Sequence, residues 1–234
     1  MTSSDATSLG AIPAALAVAY PRAVSGLESY AQLLATDGVE RGLIGPREVP
    51  RIWDRHIANC AVLEQVIPAG AHVADVGSGA GLPGLVLALV RPDLRLTLIE
   101  PLLRRATFLN EAVDTLGLAD SVTVIRGRAE ELRPGAAHSG QTRQGDIRPG
   151  LPADVVTARA VANLGQLLTW CWPLVRPGGR LAVLKGDTAP AEVAEAGTAL
   201  AARGMSATDV HVVSLAHAGT SATAVVIDRP KRQG

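Results

Sequence analysis

Ten residues constrain this chain more than any others: Asp75-Val-Gly77-Ser-Gly79-Ala-Gly81-Leu82-Pro83-Gly84. They follow a short β-type run (HVADV, 72–76) and lead into an apolar helical stretch (83–91), the context that gives such glycines meaning. Glycine lets a turn take positive φ and lets a ligand reach the backbone without a Cβ in the way. Pro83 suits a first helical turn, where a missing N–H does no harm. Exposed N–H groups and the helix dipole favour an anionic or carboxylate-bearing ligand. A ligand-free tight turn would not call for four glycines in so few residues. Residues 79–84 also satisfy G-x-G-x-x-G, so on the loop alone a nicotinamide cofactor stays open.

Around this loop, short β-rich runs alternate with helical stretches. Strands are expected at 72–76, 95–99, 122–126, 154–158 and 180–184, with helices at 83–91, 102–117 and 163–175. Strand–helix–strand spacing of this kind implies parallel pairing by right-handed crossovers, hence a doubly wound α/β sheet with helices on both faces. After a helix near 190–203, strands at 208–214 and 222–228 stand too close for a crossover and should pair antiparallel. The result is a seven-stranded, mostly parallel sheet, unlike the two equal halves of a dinucleotide-binding domain.

Residues 1–70 read as an N-terminal helical extension and 71–230 as the ligand-binding domain. One helix is expected at 22–36 and a second at roughly 47–67, broken by Asp37-Gly38 and Gly45-Pro46. Residues 134–153 are Gly-, Pro- and polar-rich without a hydrophobic period and read as a long surface loop. The first ten residues and the RPKRQG tail are expected to be loose.

A length of 234 residues suits one domain with an appendage, and an apolar fraction of 47% supports a core. The formal net charge is zero, which argues against a globally basic nucleic-acid-binding surface but not against a local basic patch. Cys60 and Cys171 lie in apolar helical stretches and read as buried thiols. No Cys/His metal spacing is present, so no metal is expected. With no signal peptide and no bilayer-length apolar run, a cytoplasmic protein is expected, and with no spare apolar helix face evident, a monomer.

Glu100 ends the second strand, where a carboxylate can accept hydrogen bonds from both ribose hydroxyls of an adenosine ligand. Asp75 lies before the loop, positioned to meet a ligand's amino acid end. Arg128-Ala129-Glu130 follows the third strand, where an adenine would lie. Glu100 is shared by dinucleotide and S-adenosylmethionine binders, but Asp75, Arg128-Ala129-Glu130, the turn Arg176-Pro-Gly-Gly-Arg180 and the antiparallel ending favour an S-adenosylmethionine-dependent methyltransferase over a nicotinamide-dependent oxidoreductase. A non-catalytic protein that binds S-adenosylmethionine or RNA is the remaining alternative.

Several stretches together resemble the RsmG (GidB) family of 16S ribosomal RNA guanine-N7 methyltransferases. They are WDRHIANCAVL (53–63), VADVGSGAGLPGLVLAL (73–89), EPLLRRATFLNE (100–111), IRGRAEEL (125–132), TARAVANL (157–164) and VRPGGRLAVLKG (175–186). The resemblance runs from about residue 26 to 228; the 134–153 insertion and the N-terminal extension depart from it. It implies a class I, Rossmann-like methyltransferase fold and S-adenosylmethionine contacts at Gly77, Leu82, Ala129, Glu130 and Arg159, beside Asp75, Gly79 and Glu100 from the residue-level reading. It also implies that the substrate is 16S RNA or the small ribosomal subunit.

Guanine N7 carries an available lone pair in the neutral base, so transfer needs no general base and no catalytic dyad. Positioning supplies most of the acceleration. Arg55, His56, Arg128 and Lys185 are accordingly expected to position substrate through phosphates or base edges, with a structural role as the rival for His56. Arg104 and Arg105 are either a solvated helix face or part of the same patch.

Overall fold

The computed structural model describes residues 8–134, 142 and 151–231. Seven strands form one sheet: β1 (His72–Val76), β2 (Arg95–Glu100), β3 (Val122–Arg126), β4 (Ala153–Thr157), β5 (Val175–Lys185), β6 (His211–His217) and β7 (Thr220–Asp228). The helices are α1 (Ala14–Ala19), α2 (Val24–Leu33), α3 (Asn59–Ala61), α4 (Gly84–Val90), α5 (Leu103–Thr115), α6 (Leu164–Cys171), α7 (Ala189–Glu195) and α8 (Gly197–Ala201). Strand order is β3-β2-β1-β4-β5-β7-β6. The neighbours from β3 to β5 pair parallel, while β7 runs antiparallel to both β5 and β6.

From β3 through β5 and β7 both faces of the sheet are covered, which is why those strands are mostly apolar, whereas the edge strand β6 is largely exposed. Val73, Leu96, Leu98, Val124, Val155 and Leu184 pack with α4, α5 and the N-terminal helices. Their neighbours Ala74, Ile99, Ile125, Val156 and Val183 point the other way, against α6, α7 and α8. The alternation is the period-two geometry of extended chain.

The expected helix over 47–67 is a relay of windings. Tight 3-10 turns span Pro46–Arg51, a π-helical stretch spans Ile52–Ala58, then come α3 and a further 3-10 stretch, Val62–Val66. Pro50 lies inside the first piece, where it removes a backbone donor and prevents regular α winding. The change of pitch keeps Ile52, Trp53, His56, Ile57 and Cys60 all buried. Similarly, α2 passes into a π-helical turn, Leu34–Gly38.

The C-terminal hairpin is tighter than expected, with β6 starting three residues later and only Ala218-Gly219 between the strands. Both residues have positive φ (52° and 76°), the combination that lets a two-residue turn match the strands' twist. β5 likewise begins earlier, at Val175. Its Gly178 N–H donates to Arg229 O at 2.9 Å, and a Cβ at Gly179 would stand 2.5 Å from Asp154 O. Of the first ten residues, Gly10 is tied down: its carbonyl accepts the Trp53 indole N–H at 2.6 Å. Residues 1–7, the end of the tail (232–234) and most of the 134–153 loop (135–141 and 143–150) lie outside the described residues. Cys60 and Cys171 are buried free thiols. No helix among the described residues is long and apolar enough to cross a membrane.

Candidate active site

The chain reverses its direction of sheet growth at β1: β2 and β3 add on one side, β4 and β5 on the other. Loops leaving β1 and β4 therefore diverge and open a crevice at the strands' C-terminal ends. There a cavity of about 600 Å³ is walled by Gly77–Ala80 and Leu82 after β1, by Ile99–Leu102 after β2, by Gly127–Glu130 after β3 and by Arg159–Val161 after β4. Leu43, Ile44 and His56 from the N-terminal helical segment, with Arg105 and Trp170, complete the wall. A space of this size holds a nucleoside-sized ligand.

The glycine loop is shaped largely by its own hydrogen bonds. Gly77, Gly79 and Gly81 all have positive φ (70°, 57° and 95°). Gly77 and Ser78 N–H donate to Ile99 O, Gly79 N–H to Glu100 Oε2 at 3.0 Å, and Gly81 and Leu82 N–H to Ser78 O. The expectation that these amides await an anion is corrected for Gly77, Ser78, Gly79, Gly81 and Leu82, whose N–H groups are consumed in folding the turn. Tyr30 of α2 supports the loop from beneath, donating its hydroxyl to Ala80 O at 2.7 Å.

Glu100 is 1% exposed at the cavity wall. Its Oε2 accepts from Gly79 and its Oε1 from Leu102 N–H, also at 3.0 Å. One lone-pair site on each oxygen is used, leaving acceptor capacity on both.

Asp75 does not reach the cavity and is fully buried under the loop, which corrects its expected place at a ligand's amino acid end. Its Oδ2 accepts Gly84 N–H at 3.1 Å, and Oδ1 has no partner. Burial pushes its carboxyl up to about 7, against the opposing pull of the nearby Ser78 hydroxyl and the Gly84 N–H. The folded value lies above the unfolded one, so the contribution to stability is complete below the ordinary carboxylate range and is lost as pH rises through 7. At higher pH the buried carboxylate costs on the order of 4 kcal/mol. Asp75→Asn, which keeps the shape without the charge, is expected to raise Tm at pH 8, with a gain that shrinks toward pH 4.5; thermal unfolding at both values measures it.

Of the other expected site residues, Gly77, Gly79, Leu82, Glu100, Arg128, Ala129, Glu130, Arg159 and His56 all line the cavity. Arg128 and Glu130 are exposed at its rim, and Ala129 is buried. Arg55 and Lys185 do not line it. Arg55 points to the surface and pairs with Glu48 at 3.5 Å. Lys185 donates to Ala162 O at 2.7 Å and Glu192 Oε2 at 2.6 Å. The same carboxylate accepts Leu164 N–H at 3.0 Å, so the pair braces the segment that carries Arg159. Lys185 thus touches the loop behind the wall, not a ligand in front of it.

Arg159 joins the sheet to the N-terminal helices. Its guanidinium donates to Cys60 Sγ (3.1 Å), Arg55 O (3.1 Å) and His56 Nδ1 (2.9 Å). Next to it, Ala160 holds positive φ (53°), a rare conformation for a residue with a Cβ and a mark of local strain at the wall. Sequence reasoning missed Leu43, Ile44, Ala160, Val161 and Trp170. They bear no group that announces a site, and only folding brings them there. Arg105, left open between two roles, lines the cavity with a buried Nε that has no partner.

The comparisons with known proteins fit this geometry. The sequence profile described as GidB, rRNA small subunit methyltransferase G, matches residues 23–220. The chain belongs to the GidB family. A ribosomal RNA small subunit methyltransferase G from Mycolicibacterium gilvum is 50% identical over 92% of this chain and 88% of its own length. Another GidB relative of that name, from Salinispora tropica, is 62% identical over 71% of this chain but only 65% of its own length. One from Salinispora arenicola is 53% identical over 87% and 80%. At the level of fold, the O-methyltransferase TomG from Streptomyces achromogenes, solved in complex with SAM, superposes with a TM-score of 0.52. It is 19% identical, over 87% of this chain and 89% of its own. The GidB chain thus has a class I, Rossmann-like methyltransferase fold, and the antiparallel β7 is where it leaves the dinucleotide-binding pattern.

Proposed function

We propose that this protein transfers a methyl group from S-adenosylmethionine to N7 of a guanine in 16S ribosomal RNA, within the small subunit or a precursor of it. The observation that carries the reading is the single cavity wall shared by the glycine loop, Glu100, Ala129-Glu130 and Arg159. Those residues fit the donor. Glu100 keeps acceptor capacity for ribose hydroxyls, and a Cβ on Gly79 would meet nothing nearer than 3.8 Å, so a ligand can approach the backbone there. With its own amide engaged, Gly77 offers a carbonyl oxygen, suited to an ammonium. Arg159 has five N–H groups and spends three on Cys60, Arg55 and His56, which leaves two for a carboxylate. The backbone of Ala129 and the carboxylate of Glu130 suit an adenine edge.

When bound, S-adenosylmethionine supplies an electrophilic methyl on a sulfonium sulfur. Guanine N7 attacks through its own lone pair, so no side chain has to remove a proton. The protein's work is to hold the base and to keep water out. Leu102 is 53% exposed at the mouth and Trp170 lies in the wall, giving a half-wet apolar lip on which an unstacked base can rest. Arg128 and Arg105 at the same mouth suit phosphates or the base's O6 edge. Residues 1–70 serve as a helical cover whose Leu43, Ile44 and His56 close one side of the cavity, and 71–230 as the methyltransferase domain. Such an enzyme works in the cytoplasm, where ribosomal subunits are assembled.

Borohydride reduction and aniline cleavage of 16S RNA tests the reading. Wild-type RNA should break at one guanine, RNA from a deletion strain should not, and incubating deletion-strain subunits with purified protein and S-adenosylmethionine should restore the break. Identical cleavage in both strains would refute it.

A further inference from the structure

We propose that Glu48 and His56 form a positioning relay for Arg159: His56, neutral and protonated at Nε2, offers Nδ1 as the acceptor that fixes the guanidinium at the cavity wall. The proposal rests on Arg159 being a cofactor contact, as inferred above. It gives the N-terminal helical segment a part in aiming a cofactor contact, in addition to closing one side of the cavity.

The argument starts from valence. A guanidinium has donors and no acceptor, so His56 Nδ1, 2.9 Å from Arg159 Nη2, must be the unprotonated nitrogen. The single ring proton of neutral imidazole then sits on Nε2, 3.1 Å from Glu48 Oε2, which accepts it. Glu48 therefore selects the tautomer, and the tautomer selects where Arg159 points. Protonating Nδ1 would set an N–H against an N–H and a cation against a cation. The charged groups around the ring divide accordingly: Glu48, from the 3-10 turn before it, favours the proton, whereas Arg159, from the segment after β4, and Arg55, on its own helix, oppose it. Burial opposes it most, and the ring titrates below the usual histidine range. Cys60, fully buried with its thiol pushed up, stays neutral and serves Arg159 as an acceptor.

The sign follows. Well above pH 6.5 the ring is neutral in folded and unfolded chain alike, and the relay is intact. As pH falls through the lowered folded value, His56 gains a proton, Arg159 is displaced and cofactor binding weakens.

Calorimetric titration of the full-length protein with S-adenosylmethionine from pH 5 to 8 tests this, alongside the ¹⁵N spectrum of His56. The wild type should show the Nε2–H tautomer and lose tenfold or more in affinity on its acid limb. His56→Leu should bind about tenfold more weakly at pH 8, with KM for S-adenosylmethionine raised and kcat little changed. His56→Asn, whose amide oxygen can replace Nδ1 as acceptor, should restore affinity and flatten the acid limb against the same ligand. An Nδ1–H tautomer, or normal cofactor affinity in His56→Leu with a raised KM for RNA, would overturn the relay and make His56 a substrate contact. Arg159→Met separates the two levels. Unchanged cofactor affinity in that variant would sink the cofactor role of Arg159 itself, whereas weak binding there with normal binding in His56→Leu would sink the relay alone.

Discussion

Glu100→Ala is expected to weaken S-adenosylmethionine binding at least 100-fold and to lower Tm. The carboxylate acts in two directions. Toward the protein it accepts the Gly79 and Leu102 amides, linking the glycine loop to the start of α5. Losing it orphans two donors at a cost of about 1–3 kcal/mol each, less whatever water enters the gap. Toward the cavity it would accept both ribose hydroxyls, and charge-assisted bonds are worth roughly 1.5–3 kcal/mol each. Two of them account for the 100-fold, since each tenfold is about 1.4 kcal/mol. Glu100→Gln retains one acceptor oxygen but turns an amide N–H toward a backbone N–H, so its affinity should fall between the two. Calorimetry and thermal unfolding on all three proteins measure both effects. An alanine variant within fivefold of wild-type affinity would remove Glu100 from the ribose.

Gly84→Ala should unfold the protein more readily, whereas Gly79→Ala should impair binding more than folding. At Gly84 a Cβ would lie 2.3 Å from Leu98 Cδ2 and 2.7 Å from Asp75 Oδ2. Both neighbours are fully buried, so room for the methyl has to come from repacking where α4 starts against β1 and β2. Overpacking of this severity costs about 3 kcal/mol, or roughly 10 °C in Tm for a chain of this size. At Gly79 the added methyl would meet only Gly77 O, at 3.8 Å. Its φ of 57° costs an alanine about 1–2 kcal/mol, but the larger loss comes where the methyl stands beside the cavity and keeps a ligand off the backbone. Paired measurement of Tm and cofactor affinity separates the two glycines. Equal Tm losses with equal affinities would show that the loop's geometry does not distinguish folding from binding.

Two glycines with opposite consequences illustrate what a local pattern can convey. The sequence marks all four as necessary, because positive φ and close approach are properties of a few consecutive residues. It does not tell which faces a helix and which faces a ligand. The same holds for charged side chains. Lys185 ends a strand on the ligand side of the sheet, but Glu192, seven residues on, turns it inward. Asp75 stands next to the loop, but the pleat of β1 sends it beneath.

The strands, the crossovers, the glycine turn, the acid after β2 and the family could be read from the residues alone, because hydrophobic period and backbone permissiveness are written within short stretches of chain. Packing settled the partners: that five of the loop amides are used up by Ile99, Ser78 and Glu100, that Leu43 and Ile44 close the cavity, and that Arg159 meets His56 from 103 residues away. Hydrogen bonding and burial depend on which surfaces meet once the chain is packed, and that is a property of the whole fold.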